Sequence, residues 1–250
     1  MKLKLREERN FTIRHTLWYS VIYFGVVQAI IPIILGVVAG IFGDYEMTAS
    51  GVLVLPIYYD FIVYLVGLVL FYLVSIGVVR TQWELFKHNF LENIKTILIL
   101  FVMMQVLVIA SNIIIGYLMG TDTSSNQSNI MEIARYAPTF VIFVTLIFAP
   151  ICEELLFRGG FYFGFVRSGM SETKATLISS FGFGLLHVAP SLFVNGSLVL
   201  SEVLYIIPYA FMGFFFTTAA RKTNNIWGSI TLHFLNNLLS VLILFLFSLY

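Results

Sequence analysis

Along this chain, polar residues gather in short clusters separated by apolar runs of bilayer length. About 20 apolar residues in a helix suffice to cross the hydrocarbon of a membrane. By that measure the pattern predicts seven spans: about Leu17–Phe42, Val52–Val79, Ile94–Met119, Thr139–Phe157, Thr176–Ala189, Val203–Ala220 and Ile226–Leu249. The fold class expected is all-α, a polytopic membrane helical bundle of about seven transmembrane helices. The first run is too long for the ~7–15-residue apolar region of a signal peptide, so it reads as a span. The fifth is short, but Ser171 can cap a helix that starts just before it, and Glu172 suits its first turn. The segment Pro190–Leu200 is left open as re-entrant or interfacial. The polar, turn-rich loop Gly120–Asn129 divides the chain. Residues 1–119 form a three-span region with a basic N-terminus, and residues 138–250 form the region that carries the candidate chemistry.

Composition agrees with this pattern. Of the 250 residues, 59% are hydrophobic and only 11% charged, against ~25% charged in a soluble domain. No basic stripe occurs away from the membrane flanks, which argues against a nucleic-acid partner. The expected partners are the lipid bilayer and a peptide or protein substrate, and the oligomeric state is not legible. The one cysteine, Cys152, rules out an intrachain disulfide framework. With the N-terminus placed in the cytoplasm, 13 of the 14 Lys and Arg residues fall inside and only Arg135 outside. This bias predicts a cytoplasmic N-terminus and an extracellular C-terminus. It also sets Glu153 and Glu154 near the cytoplasmic end of the fourth span. A compact chain of this kind suits a bacterial plasma membrane.

The chemistry begins with Cys152-Glu153-Glu154-Leu155-Leu156-Phe157-Arg158-Gly159. Ionised groups within an apolar span cost at least ~2.5–3.5 kcal/mol each, so they are rarely accidental. Glu154 and Arg158 stand four apart on one helical face, acid first, the better order for a pair. Glu153 lies ~100° around the helix and is left without a local partner, as suits a general base or acid. Two further polar patterns sit in later spans. Phe183 and His187 share one helical face, and His233 and Asn237 share another. Asp60 reads as a helix-packing or cavity residue, and His15 and His88 as solvated.

These three patterns, Glu153-Glu154-x-x-x-Arg158, Phe183-x-x-x-His187 and His233-x-x-x-Asn237, resemble the ordered motifs of the CPBP family. That family comprises the CAAX-prenyl-protease-like and bacteriocin-processing (Abi) intramembrane proteases. The resemblance covers roughly residues 138–245. It implies a proteolytic site that opens toward the cytoplasm. Glu153 and His187 would activate the attacking water, His233 and Asn237 would stabilise the oxyanion, and Arg158 would hold Glu154, with Phe183 in support.

Peptide hydrolysis needs a base for water, a proton for the leaving amine and donors aimed at the oxyanion, and this set can supply them. A metal version also closes on paper, with Glu153, His187 and His233 as a zinc site open to water. The reading without a cofactor is favoured, because Asn237 is a poor zinc ligand and a reasonable oxyanion donor. Other intramembrane protease classes fit less well: the chain has no His-Glu-x-x-His, no Gly-x-Gly-Asp and no Gly-x-Ser-x-Gly. The expected activity is therefore an intramembrane endopeptidase, glutamate-dependent, acting on a membrane-associated peptide or a lipidated C-terminus. The alternatives are a non-enzymatic bacteriocin-immunity or peptide-binding membrane protein, or a proton-coupled transporter.

Overall fold

The computed structural model describes residues 10–47, 53–120, 123–194 and 196–247. The start of the basic N-terminal segment, part of the Gly120–Asn129 loop, Val52 and Leu249 lie outside the described residues. Within them the chain is an all-α bundle of long apolar helices. These are α1 (Ile13–Phe42), α2 (Ile57–His88), α3 (Phe90–Met119), α4 (Ser125–Tyr136), α5 (Pro138–Arg167), α6 (Glu172–Val188), α7 (Leu200–Thr223) and α8 (Ile226–Phe247). Six of them are long and apolar enough to cross a membrane. The remaining predicted span, the fifth, is α6, only 17 residues long and started by the predicted cap, Ser171, which accepts from the Lys174 N–H. Large apolar side chains such as Ile41, 73% exposed, cover the outer faces of α1 to α3, as a lipid-facing wall requires.

The ends of the helices follow from local chemistry. Gly43 and Gly120 stop α1 and α3 with positive φ, a conformation glycine adopts without a Cβ clash. Thr12 caps α1 with help from His15 Nδ1, 3.1 Å from the Thr12 N–H, so His15 is half-buried in a cap rather than solvated. His88 is exposed, and Asp60 is exposed in the first turn of α2. The loop after α3, read as a linker, instead turns at once into α4, capped by Ser124. The Pro190–Leu200 segment holds a short antiparallel pair, Phe193–Val194 with Ser197–Leu198.

Two close helix contacts set the bundle. Gly160 and Gly164 in α5 form a small-xxx-small surface, and any Cβ on either would meet Thr16 or Thr12 of α1. Thr16 Oγ1 there donates to the Gly160 carbonyl at 3.0 Å. Gly184 and Gly213 do the same between α6 and α7: a Cβ on Gly184 would stand 2.9 Å from the Ile206 carbonyl oxygen. One continuous buried core runs from Phe11 to Leu232 and draws on helices before and after α4. At the start of α8, Asn225 donates to the Gln82 carbonyl at 2.7 Å and Gln82 Oε1 accepts from the Ile226 N–H at 2.7 Å, which pins α8 against α2.

The fourth span differs from its prediction. The helix does not end at Phe157 but continues to Arg167. Beyond Phe157, Gly160 is where α1 packs closely, with Thr16 against it. Glu153 and Glu154 therefore stand midway along α5, not near its end. The helix is wound wide over Val144–Phe148 and Leu155–Gly164, on either side of an ordinary α segment, Ala149–Glu154. Such π-type turns are rare and concentrate at functional sites.

Candidate active site

Three helices after α4 bring the predicted site residues together. Glu154 and Arg158 form the pair expected from their spacing: Arg158 Nη1 donates to Glu154 Oε1 at 2.9 Å, and neither side chain is exposed at all. The second arm of the guanidinium, Nη2, donates to the Gly213 carbonyl on α7 at 2.8 Å. The same Glu154 Oε1 lies 2.8 Å from His233 Nδ1 on α8. A carboxylate held by an arginine accepts, so Nδ1 carries the hydrogen.

Glu153 faces the other way. Its Oε1 accepts from the Tyr23 hydroxyl of α1 at 3.4 Å. Its Oε2 is buried, has no hydrogen-bond partner among the described residues, and stands 3.9 Å from His187 Nε2. On the far side of that ring, His187 Nδ1 donates to the Phe183 carbonyl at 2.9 Å. A carbonyl can only accept, so a neutral His187 carries its hydrogen on Nδ1 and turns the Nε2 lone pair toward Glu153. A gap of 3.9 Å between two acceptors is too long for a direct bond and suits a bridging water.

Phe183 is the hub of the cluster. Its ring lies 4.4 Å from His187 and 5.7 Å from His233, and the Arg158 guanidinium sits 4.8 Å from its centroid. Arg158 also faces Phe216 at 5.2 Å, and Phe216 stacks on His233 at 4.5 Å. Cation–π contacts of this kind strengthen when desolvated and hold the guanidinium flat.

Asn237 has a backbone partner. Its Nδ2 donates to the Thr145 carbonyl in α5 at 2.8 Å. That carbonyl is open because the Ala149 N–H reaches Val144 instead, and Pro150 has no N–H to give. One Asn237 hydrogen is thereby committed and the other remains. Its Oδ1 accepts from Asn236 at 3.1 Å, and Asn236 Oδ1 accepts from Gln105 of α3 at 2.9 Å. For a metal, Glu153 and His187 face each other while His233 Nδ1 is turned to Glu154. No group of three His, Cys, Asp or Glu residues among the described ones is arranged to hold an ion.

The cluster lines a cavity of about 790 Å³. Its walls include residues the sequence reading missed: Tyr23, Tyr64 and Gln105, all from spans in which no chemistry was expected. The only signal for Gln105 was a polar amide alone in an apolar run. Tyr209 was missed as well: its ring stacks on His187 at 4.6 Å. Asp60 does not line the cavity.

Comparison with known proteins agrees with the motifs. The family model described as Type II CAAX prenyl endopeptidase Rce1-like matches residues 135–239. A Bacillus subtilis (strain 168) protein named "Putative membrane peptidase YdiL" is 30% identical over 114 residues. That match takes in 46% of this chain and 41% of the relative, so the chain spans about two fifths of the length of the protein it matches. No solved structure matches. The matched stretch, residues 135–239, holds Glu153, His187 and His233, so the similarity to the Rce1-like CAAX prenyl endopeptidases falls on the same three motifs that carry the CPBP resemblance.

Proposed function

We propose that the protein is an intramembrane endopeptidase in which Glu153 and His187 activate water. The observation that carries this reading is the 3.9 Å space between Glu153 Oε2 and His187 Nε2, two acceptors on the wall of a cavity inside the bundle. A water bound there gives one hydrogen to each, which leaves its lone pairs free for a carbonyl carbon. As the water oxygen bonds to that carbon, its proton passes to Glu153 and the carbonyl becomes an oxyanion. Glu153 then returns the proton to the leaving nitrogen as the carbon–nitrogen bond breaks.

Oxyanion stabilisation falls to His233 and Asn237. With Nδ1–H given to Glu154, His233 can donate toward the cavity only as an imidazolium, from its other ring nitrogen. Asn237 contributes its second N–H. Arg158 keeps Glu154 from competing with Glu153 for the proton. In this division residues 138–250 perform the chemistry, and residues 1–119 wall the cavity and orient Glu153 through Tyr23. The substrate class is a membrane-associated peptide.

The test is mass spectrometry of cellular peptides in cells carrying wild type or Glu153→Gln. Peptides that appear only with wild type define both the activity and the cut site. Full biological function in Glu153→Gln cells with an unchanged peptide profile would point instead to an immunity or binding protein.

A further inference from the structure

The cavity has a direction. On α5 it is lined from Glu153 back toward the Pro138 end, and on α8 from His233 forward to Leu244. On α3 it takes the second half, Gln105 to Asn112; on α7 it runs from Tyr205 to Met212; on α6 it takes the end, Phe183 to His187. All of these segments lead to the face covered by α4, whose cap Ser124 and whose Gln127 and Ile133 also line the space.

The opposite ends of these helices, and the matching ends of α1 and α2, carry the described basic residues. Arg14, Arg80, Lys87, Arg167, Lys174 and Arg221 all belong to that other face. Among the described Lys and Arg, only Arg135 sits on the α4 side, while Arg158 is buried in mid-bundle. The face rich in Lys and Arg is the cytoplasmic one.

The lining is also uncharged toward its mouth. Asn112, Gln127, Asn129 and Ser240 offer amides and a hydroxyl between apolar walls such as Phe140 and Val141. Among the described residues that line the cavity there is no Lys or Arg, hence no fixed cation at the mouth to hold a terminal carboxylate. Amides between apolar walls suit the backbone of an extended apolar segment with neither end inside.

We infer that the site is fed from the extracytoplasmic side, and that its substrate is an internal, uncharged, apolar peptide segment. This rests on the protease reading above. It reverses the cytoplasmic opening that the family resemblance implies, and it sets an order of events: translocation or insertion of the substrate must come before its cleavage.

Substituted-cysteine labelling of the full chain in intact cells tests the direction. Wild type sets the background, since its Cys152 is buried. Asn112→Cys, Gln127→Cys and Ser240→Cys report on the mouth, and Lys174→Cys and Lys222→Cys on the far face. The expected result is that a membrane-impermeant maleimide labels the mouth positions from outside, and the far-face positions only after permeabilisation. The reverse pattern, or mouth positions that stay unlabelled from outside while the far-face controls react after permeabilisation, overturns the inference. Three mouth positions guard against one variant failing to fold. An end-blocked apolar reporter peptide added to sorted proteoliposomes then tests the substrate class. Wild type should cleave it only from the mouth side, and no more slowly than the same peptide with a free carboxylate. A tenfold preference for the free acid would overturn the internal-segment claim. Labelling needs no turnover, so an inactive protein would count against the protease reading alone and leave the direction to be judged by the cysteines.

Discussion

Tyr209 joins α4 to the candidate base pair. Its ring stacks on His187 with centroids 4.6 Å apart and planes 22° from parallel, while its hydroxyl lies 2.8 Å from Ser124 Oγ and accepts from Asn126 Nδ2 at 3.2 Å. Glu202, further toward the start of α7, accepts from the Ser125 N–H at 2.9 Å. The helix over the cavity mouth is thus tied to the wall that holds the imidazole. Tyr209→Phe keeps the ring and should leave kcat within a few-fold of wild type, while hydrogen exchange in Ser125–Tyr136 speeds up. Tyr209→Ala removes the stack as well and should lower kcat by at least tenfold. Equal kcat in the two variants would show that the ring does not position His187.

The two adjacent glutamates should separate cleanly. Glu153→Gln is expected to abolish turnover and leave the melting temperature near wild type, because among the described residues the Glu153 side chain hydrogen-bonds only to the Tyr23 hydroxyl. Arg158→Ala strands a fully buried carboxylate, a loss of ~3–5 kcal/mol by the usual cost of breaking such a pair. Thermal unfolding in detergent, read beside peptide hydrolysis, checks both. Near-normal hydrolysis by Glu153→Gln with none by Glu154→Gln would exchange their roles.

Asn237→Ala should act twice. Losing an oxyanion donor costs ~10²–10³ in turnover. It also leaves the Thr145 carbonyl without its donor, a further ~1–3 kcal/mol of stability for a buried group. Elemental analysis of the purified protein belongs with this variant. In the water mechanism set out above, turnover survives strong chelation and no stoichiometric metal is found. One zinc per chain together with a mild Asn237→Ala effect would replace that mechanism with a metal-assisted one and leave the peptidase reading in place.

Gly184→Ala probes the seat of His187. The added methyl meets the Ile206 carbonyl oxygen at 2.9 Å and the Ala210 nitrogen at 3.1 Å, both backbone, so α6 must move away from α7. His187 lies three residues on, close to one turn. The variant should remain folded, with a lower melting temperature and kcat reduced by more than tenfold. Unchanged kcat would mean that the imidazole is not positioned by this contact.

Much of this was legible in the sequence, for reasons that vary with the residue. The spans were readable because each is a long apolar run, and Arg158 was assigned to Glu154 because four residues close one helical turn. The length of α5 was not readable: the apolar run reads as ending at Phe157, and only the packing of Thr16 of α1 against Gly160 shows the helix going on. Helix α4 was hidden because its polar face resembles a loop. Tyr23 and Gln105 were missed because a lone hydroxyl or amide in an apolar span gains meaning only from what stands opposite, here Glu153 and Asn236. The commitment of Asn237 to Thr145 depends on a carbonyl released by Pro150 and by the wide turn before it, a backbone event that no side-chain pattern announces.

The wide winding of α5 over Leu155–Gly164 gives the helix slack. A π-type turn holds more residues than the 3.6 of an α turn. Loss of one residue there could be absorbed by tightening the turn, with the carboxylates upstream and the basic end downstream both keeping their bearings. The α segment Ala149–Glu154 has no such reserve: one residue lost there swings everything beyond it by ~100°. Changes of length in α5 should therefore be survivable between the glutamates and Arg167 and ruinous through the glutamates, which makes the wound region the joint at which this scaffold can be respaced without retuning its chemistry.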